Sequence, residues 1–499
     1  MRRRDATALL AAALAAPALA AAAPTPGAAP LPPAPAASPD AMRRLGARLR
    51  ALPADGLDPA GYGVASAAEE AADPAALARQ GAAAQAVLAD LLQGAVRELP
   101  GRPDIRRDPV ALGPWLEELG ASPDPAAVLE RAALATPGQA ALRVALREAQ
   151  ARVASGPFAP VPHSGTIEPG LTDPARIPAL RSRLAAESPE LAVPGGATYD
   201  APLVAAVRRW QAQNGLEPDG RLGRVSLAIL NRPPEARVAQ LRAAMDMRRA
   251  AADPGPGLRL EVNIPDYRLV ASEGGREVLA MNVIVGRPDR ATPILRVTMT
   301  ALRFNPPWGV PLRNMREDML PRLRRDPLAL QARGFRIYRH IDGVLTEIDP
   351  TTVDWRAVHP DRFPFIIRQD PGDLNALGRI MFVMPNRDDI FMHDTPDRHL
   401  FRHADRAFSS GCIRLERPRE LMALLLEGTP GWNVERAEAA IASGQTSGVM
   451  VRRPIPTLLA YRTVRVEGDR VTIRPDLYRL DEAYARALDR RGAVLARAS

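Results

Sequence analysis

The sequence predicts a multidomain α+β protein: an N-terminal α-helical domain, a small three-helix module, and a mainly β domain that carries a capping insertion. Three observations predict it. From about residue 40 to 155, Ala, Leu and Arg recur at helical spacing. From about 258 the apolar period changes to alternation, the mark of half-buried strands. Between those strands, 309–357 is charged and breaks the pattern, and an insertion of that size usually covers something. A chain of 499 residues is long enough to bury several cores.

Residues 1–22 read as an export signal. Arg2-Arg3-Arg4 supply the basic start, and Ala6 to Ala16 form an apolar stretch too short to span a bilayer. Ala18-Leu19-Ala20 and Ala20-Ala21-Ala22 offer small-residue cleavage sites; an uncleaved anchor is the alternative. The arginine pair raises a twin-arginine route that the following residues support poorly. No later stretch reaches eighteen consecutive apolar residues, so the mature body is expected to be soluble and periplasmic. Residues 23–39 are a Pro/Ala linker. The helical domain follows at 40–155, with helical spacing over Ala75–Leu99 and Ala126–Ala154 and starts marked by Asp73-Pro74 and Asp124-Pro125. Proline-rich stretches at 156–175 and 252–257 read as domain edges.

At 176–232 the chain reads Tyr199-Asp200-Ala201-Pro202, then an apolar run with Leu203, Val207 and Trp210 on one helical face. Asn214-Gly215-Leu216 and Asp219-Gly220-Arg221-Leu222-Gly223 stop and restart the helices before Leu227-Ala228-Ile229-Leu230. This unit resembles the three-helix peptidoglycan-binding module of many cell-wall enzymes; a generic helical hairpin is the plainer reading.

The β domain is placed at 258–480. Strands are expected at Leu258–Ile264, Tyr267–Val270, Val278–Val285, Leu295–Phe304, Phe363–Arg368, Arg379–Met384 and Ile390–His393. Gly274-Gly275 suits a hairpin turn, as does Glu467-Gly468-Asp469 between Thr463–Val466 and Arg470–Arg474. A helix is expected over Arg417–Glu427, and another over Met315–Arg324 inside the insertion.

The net charge of +9 makes nucleic acid the reflex partner, but the export signal and the even spread of arginine argue against it. An anionic partner outside the cytoplasm, such as cell wall or lipid head groups, fits better, with solvated helix faces as the plainer reading of much of the arginine. The only cysteine, Cys412, cannot be half of an internal disulfide. It sits in Phe408-Ser409-Ser410-Gly411-Cys412-Ile413-Arg414, nineteen residues after His393. Small residues before the sulfur let backbone N–H groups approach, and Arg414 adds positive charge. An imidazole can take the thiol proton and return it to a leaving amine, and the N–H groups of Gly411 and Cys412 are candidate oxyanion donors. His399 and His403 lie in the loop between and are also candidate bases; His393 closes a strand, which holds a base more rigidly.

His393-Asp394-Thr395-Pro396 followed by Ser409-Ser410-Gly411-Cys412-Ile413-Arg414 resembles the signature of L,D-transpeptidases with a YkuD-type catalytic domain. Val285-Gly286-Arg287-Pro288, Asn305-Pro306-Pro307-Trp308 and Leu377-Gly378-Arg379 are similar to the large YcbB-like subclass, which adds a peptidoglycan-binding-like module, a helical domain and a capping loop. The resemblance implies Cys412 as acyl-enzyme nucleophile, His393 as its base, and the backbone carbonyl of Asp394 orienting the imidazole. It implies Arg414, Ser409, Ser410, Trp308 and Asn305 as substrate-binding positions. Many relatives carry histidine where this chain has Ser410, which alters local polarity only. It further implies 3→3 cross-linking of peptidoglycan stem peptides through a thioester, with release of D-alanine. Water, a free D-amino acid or a lipoprotein lysine are alternative acceptors. Carbapenems should acylate the same thiol, and no metal or cofactor is expected. Arginines of the insertion (Arg313, Arg316, Arg322, Arg324, Arg325, Arg333, Arg336, Arg339) either meet stem carboxylates or are simply solvated.

Four other readings compete. Hydrolytic cysteine peptidases of the cell wall usually place Cys before His, the reverse of the order here. A sortase-like transpeptidase uses His, Cys and Arg in the same order but lacks a wall-binding module. A zinc site from His393, His399, His403 and Cys412 has suitable ligand types without the short paired spacings. A non-catalytic wall-anchoring protein would leave the His393/Cys412 pair unexplained.

Overall fold

The computed structural model describes residues 38–498 except 106, 157–158, 215 and 252–254. The expected signal and nearly all of the 23–39 linker lie outside the described residues, as do parts of the 156–175 and 252–257 stretches and Gly215. Among the described residues, no helix is long and apolar enough to cross a membrane.

The first six helices are α1 (Pro39–Arg50), α2 (Ala67–Ala72), α3 (Pro74–Gln93), α4 (Gly113–Ala121), α5 (Pro125–Leu134) and α6 (Gln139–Ala154). Local chemistry starts them. Ser38 Oγ accepts the Ala41 N–H, Ser66 and Glu69 form a reciprocal capping box, and Asp73 caps α3 ahead of Pro74. The segment of helical spacing over Ala126–Ala154 forms two helices. Pro137 cannot continue α5, and Gly138 turns left-handed (φ +84°) to begin α6. α3 stops at Gly94 instead of running to Leu99, because Gly94 leaves the helical region (φ +77°, ψ 146°), and only glycine fits there, since a Cβ would lie 2.6 Å from the Arg107 guanidinium.

The small module contains α7 (Arg176–Glu187), α8 (Ala201–Gln213) and α9 (Arg224–Leu230). Leu180, Leu203, Val207, Trp210, Leu227 and Leu230 form its core, so the 203/207/210 face is inward. Tyr199 Oη donates to the Gly220 carbonyl (2.6 Å) and pins the turn to α8. α10 (Pro234–Arg248) then leads into the β domain.

That domain is a nine-stranded sheet. Its strands are β1 (Arg259–Asn263), β2 (Arg268–Glu273), β3 (Arg276–Gly286), β4 (Leu295–Phe304), β9 (Ile380–Val383), β10 (Met392–His393), β11 (Ala407–Ser409), β12 (Ile413–Leu415) and β13 (Ser447–Ala460). The order β11-β3-β12-β10-β9-β4-β13-β1-β2, with β2 also paired to β3, closes the sheet on itself. Leu260, Val262, Leu269, Val283, Phe304, Phe382, Met392, Ile413 and Leu415 fill the inside. Helices α13 (Pro418–Leu426) and α14 (Val434–Ala442) join this core through Leu421, Met422, Leu425, Ala437 and Ile441. The strand β13 was not foreseen. Its register shifts between Met450 and Ile455, and that irregularity, with Arg452-Arg453-Pro454 inside it, erases the alternation that reveals a strand.

The insertion is a unit with its own core. It holds β5 (Trp308–Gly309), β6 (Phe335–Ile341), β7 (Val344–Glu347) and β8 (Phe365–Gln369), ordered β5-β8-β6-β7. The short helices α11 (Leu312–Asn314) and α12 (Leu320–Leu323) flank one π turn, and Leu320, Leu323, Phe335, Trp355, Phe365 and Ile367 pack beneath them. Because β8 belongs to this sheet, the unit continues to Gln369, beyond residue 357.

The chain ends with the hairpin β14 (Val464–Glu467) and β15 (Arg470–Ile473), then helix α15 (Leu480–Ala498). Tyr484 and Leu488 of α15 and Ala243 of α10 complete the core of the N-terminal helices. Asp246 at the end of α10 ties the parts together: it accepts the N–H groups of Ala95 (2.6 Å) and Val96 (3.1 Å) and the Tyr484 hydroxyl (2.7 Å). The helical body is therefore assembled from both ends of the chain.

Candidate active site

β10 and β12 run parallel and adjacent, with Met392 opposite Ile413 and His393 opposite Arg414. Met392 and Ile413 are fully buried in the core. Neighbours along a strand face opposite ways, so His393, Arg414 and, two residues before it, Cys412 project to the other side. The Ile413 N–H donates to the Phe391 carbonyl (3.1 Å), which extends the pairing up to Cys412.

The turn before Cys412 is held from several directions. Gly411 has φ +119°, and a Cβ there would come within 3.2 Å of Ile390 Cδ1. Thr292 Oγ1 donates to the Gly411 carbonyl (2.7 Å) and accepts the Gly286 N–H (2.8 Å). Tyr478 Oη donates to the Gly286 carbonyl (2.6 Å) and accepts the Thr292 N–H (3.1 Å). Ser409 is buried; its hydroxyl donates to the Cys412 carbonyl (2.6 Å) and accepts the Gly411 N–H (3.1 Å). The expectation that Gly411 supplies an oxyanion donor is corrected by that last bond. No described hydrogen bond uses the Cys412 N–H. Both bonds of the Ser409 hydroxyl are thus made within the turn.

His393 is buried, and its Nδ1–H donates to the Asp394 carbonyl (2.5 Å). A carbonyl only accepts, so Nδ1 carries the proton and Nε2 is left as the basic nitrogen. Burial pushes the imidazole down to about 3; the Arg414 charge acts in the same direction, against the Asp394 and Leu377 carbonyls. Cys412 is half-buried, and burial pushes its thiol up to about 11 although Phe391 and Arg414 favour the thiolate. Both directions describe a neutral thiol and a neutral imidazole, and the Cys412 Sγ–H is directed at the Asp389 carbonyl (3.8 Å). Arg414 Nη1 donates to Asp397 (2.9 Å), which fixes its charge between the two strands.

Asp394 is itself clamped. Its carboxylate accepts the N–H groups of Arg379 (2.9 Å) and Thr395 (2.7 Å) and pairs with Arg398. Gly378, with φ +62°, passes so close that a Cβ would lie 2.5 Å from Asp394 Cγ.

The insertion meets this site through Ser410, whose exposed hydroxyl accepts from Arg290 Nη1 (2.8 Å) and Asn314 Nδ2 (3.2 Å). Arg290 is buried and also pairs with Glu317 and Asp318 (both 2.6 Å) at the π turn. Asn305 departs from its expected ligand role. It is fully buried, and its Nδ2 donates to the carbonyls of Ala440 (2.9 Å), Ile441 (3.1 Å) and Gln445 (3.1 Å), anchoring α14. Trp308 is half-buried at the base of the insertion, its ring 6.1 Å from that of Phe335. The His403 ring packs on Phe408 (5.6 Å), facing a different cleft from Cys412. No cluster of three or more metal-ligating side chains occurs among the described residues. Thr292, Tyr478 and Arg290 escaped sequence reasoning; nothing in their local sequence signals a contact made across more than a hundred residues. Gly378 could have been found, since it stands in the Leu377-Gly378-Arg379 motif.

Comparison with known proteins agrees with this geometry. Residues 258–432 match the family described as "L,D-transpeptidase catalytic domain" (YkuD), and residues 176–230 match "Putative peptidoglycan binding domain". A curated Haemophilus influenzae protein named "Putative L,D-transpeptidase" is 35% identical over 247 residues, which is 50% of this chain and 49% of that protein. The chain thus spans about half the length of the curated relative it matches. A solved L,D-transpeptidase structure (residues 123–326) from Xylanimonas cellulosilytica is 15% identical and covers 60% of this chain and 98% of its own; its TM-score of 0.18 bears no weight. The chain therefore carries a YkuD-type domain and a peptidoglycan-binding module.

Proposed function

We propose that the YkuD-type domain is a cysteine L,D-transpeptidase that forms 3→3 cross-links in peptidoglycan, in the periplasm after export. The single observation behind the mechanism is the placement of Cys412 and His393 on one face of two adjacent parallel strands, with His393 Nδ1 committed to the Asp394 carbonyl.

In the first half-reaction, His393 Nε2 takes the Cys412 proton as sulfur attacks the carbonyl between the L-centre of the third stem residue and the terminal D-alanine. Negative charge moves to the carbonyl oxygen, where the Cys412 N–H is available to donate. The C–N bond breaks, the imidazolium returns the proton to the leaving amine, and D-alanine departs from a thioester on Cys412. In the second half, an acceptor amine loses a proton to His393 and attacks the thioester, releasing the thiol. Because burial favours the neutral pair in the resting site, charge separation is tied to substrate arrival. Arg414, close to both groups, stabilises the thiolate side of that step and opposes a standing imidazolium. Ser410 sits at the seam with the insertion, so the stem reaches Cys412 beside the Arg290–Asp318 pair.

Disaccharide-tetrapeptide incubated with the mature chain should yield a dimeric muropeptide and free D-alanine by mass spectrometry, and a carbapenem should leave an intact-mass adduct. Cys412→Ala should abolish both, and His393→Ala should slow adduct formation by about 10² to 10⁴-fold. An adduct that forms equally fast without His393 refutes the base assignment.

A further inference from the structure

A crevice of about 950 Å³ separates the small module from the β domain, with no contact to the Cys412 side chain. Arg224 and Val225 of α9 form one wall. The other is built by 265–268, 287–289, the loop 402–408 and the segment 474–479. That volume falls within the range of sites that hold ligands of several hundred daltons.

The charge of the lining is one-sided: nine arginines against five carboxylates. Four of those carboxylates are engaged in the walls. Asp266 pairs with Arg465 (2.8 Å) and Arg474 (2.6 Å), and Asp289 with Arg287 (3.1 Å). Asp405 accepts the Tyr267 hydroxyl (2.8 Å), and buried Asp476 accepts that of Tyr461 (2.6 Å). The fifth, Glu217, stands at the rim. By contrast Arg224, Arg402 and Arg479 are exposed to the cleft and make no ion pair among the described residues.

The inner end repeats the imbalance. Arg232 and Arg474 also line an adjoining cavity of about 50 Å³, where Arg152, Arg183 and Arg237 all converge on one carboxylate, Glu187. Burial holds Arg237 below its ordinary value, with Arg152, Arg183 and Arg232 adding to it against the opposing charge of Glu187. The crevice also touches β11, the strand that leads into the Cys412 turn. Ala407 and Phe408 line it, and the Arg287 N–H donates to the Ser409 carbonyl (3.1 Å), three residues before Cys412.

We propose that this crevice is a second binding site that grips a peptidoglycan stem peptide by its free carboxylates, holding a wall strand beside the nucleophile without taking part in the chemistry. It rests on the reading that the chain acts on peptidoglycan. The recognising chemistry is a short flexible chain with several carboxylates, matched to guanidinium groups that bind planar anions bidentately.

The test uses the mature chain carrying Arg224→Glu, Arg402→Glu and Arg479→Glu together. Co-sedimentation with purified sacculi and titration with disaccharide-tetrapeptide are compared with the wild type at low and high salt. The triple variant should lose at least tenfold in affinity, with the wild-type affinity falling as salt rises. Its carbapenem adduct at Cys412 should form within twofold of the wild-type rate. A fragment with amidated carboxyls should bind as poorly to wild type as the native fragment does to the variant. The proposal is overturned if sacculus binding is unchanged by the three reversals, or if the amidated fragment binds as well as the free acid. It is also overturned if phosphatidylglycerol vesicles, and not sacculi, are the surface whose binding the reversals abolish. Failure of the catalytic reading would show separately, as a wild-type chain that forms no carbapenem adduct while the sacculus arm still responds.

Discussion

Replacing Gly378 by alanine tests how the base is held, at a position that touches neither thiol nor substrate. Two costs follow from the structure. At φ +62° an L side chain is strained by about 1–2 kcal/mol. The new Cβ would also lie 2.5 Å from Asp394 Cγ and Oδ2, so the carboxylate must move. Moving it forfeits its bonds from the Arg379 and Thr395 N–H groups, each hydrogen bond to a charged group being worth about 1.5–3 kcal/mol. With partial relaxation, a loss of about 3–4 kcal/mol in denaturant stability is expected. The same movement drags the Asp394 carbonyl, and a shift of about 1 Å at a catalytic base costs about 10²-fold in rate. Gly343→Ala is the matched control: φ +82°, but nothing within 4 Å of the added methyl. Denaturant unfolding and the rate of carbapenem adduct formation are measured on both. If Gly378→Ala acylates within twofold of Gly343→Ala, the Gly378–Asp394–His393 relay does not govern the base.

Two titrations give further checks. Burial lifts Cys412 to about 11, so iodoacetamide alkylation of the free protein should climb about tenfold per pH unit above pH 8; a plateau already reached by about pH 6 would reveal a standing thiolate–imidazolium pair and refute the neutral resting state. Burial, and then the neighbouring Asp476, lift Asp481 to about 7, and its Oδ1 is a buried oxygen with no partner, the natural seat of a proton. The folded state then keeps that proton while the unfolded chain loses it near pH 4, so stability falls as pH rises from about 4 to 7, by at most about 4 kcal/mol. Asp481→Asn places an N–H at the orphaned oxygen and keeps an acceptor for Thr463 and Gln240. It should unfold at a higher temperature than wild type at pH 8 and lose the difference by about pH 4; equal destabilisation at both values would refute the assignment.

Much of this molecule was legible before any coordinates. Alternation is a local signal, so Leu295–Phe304 appeared at its observed bounds, and β1 to β3 were found to within a few residues. Helix starts at Pro74 and Pro125 were equally local, since a cap and a proline act within one turn. Cys412 stands out as a lone cysteine in a small-residue turn and His393 as a histidine closing a strand, while His399 and His403 stay open as bases until the family resemblance is added. Tertiary structure decided the rest. Strand β13 hides behind its own bulge, the helical core borrows Tyr484 from the far end of the chain, and Asn305 turns inward to hold α14. Whether Gly411 N–H is free, which nitrogen of His393 carries the proton, and where surplus arginine gathers are all questions of long-range neighbours. Sequence period determines which face of an element is apolar; only packing determines what each polar group finds opposite it, and that pairing is what turns a cysteine and a histidine into a site.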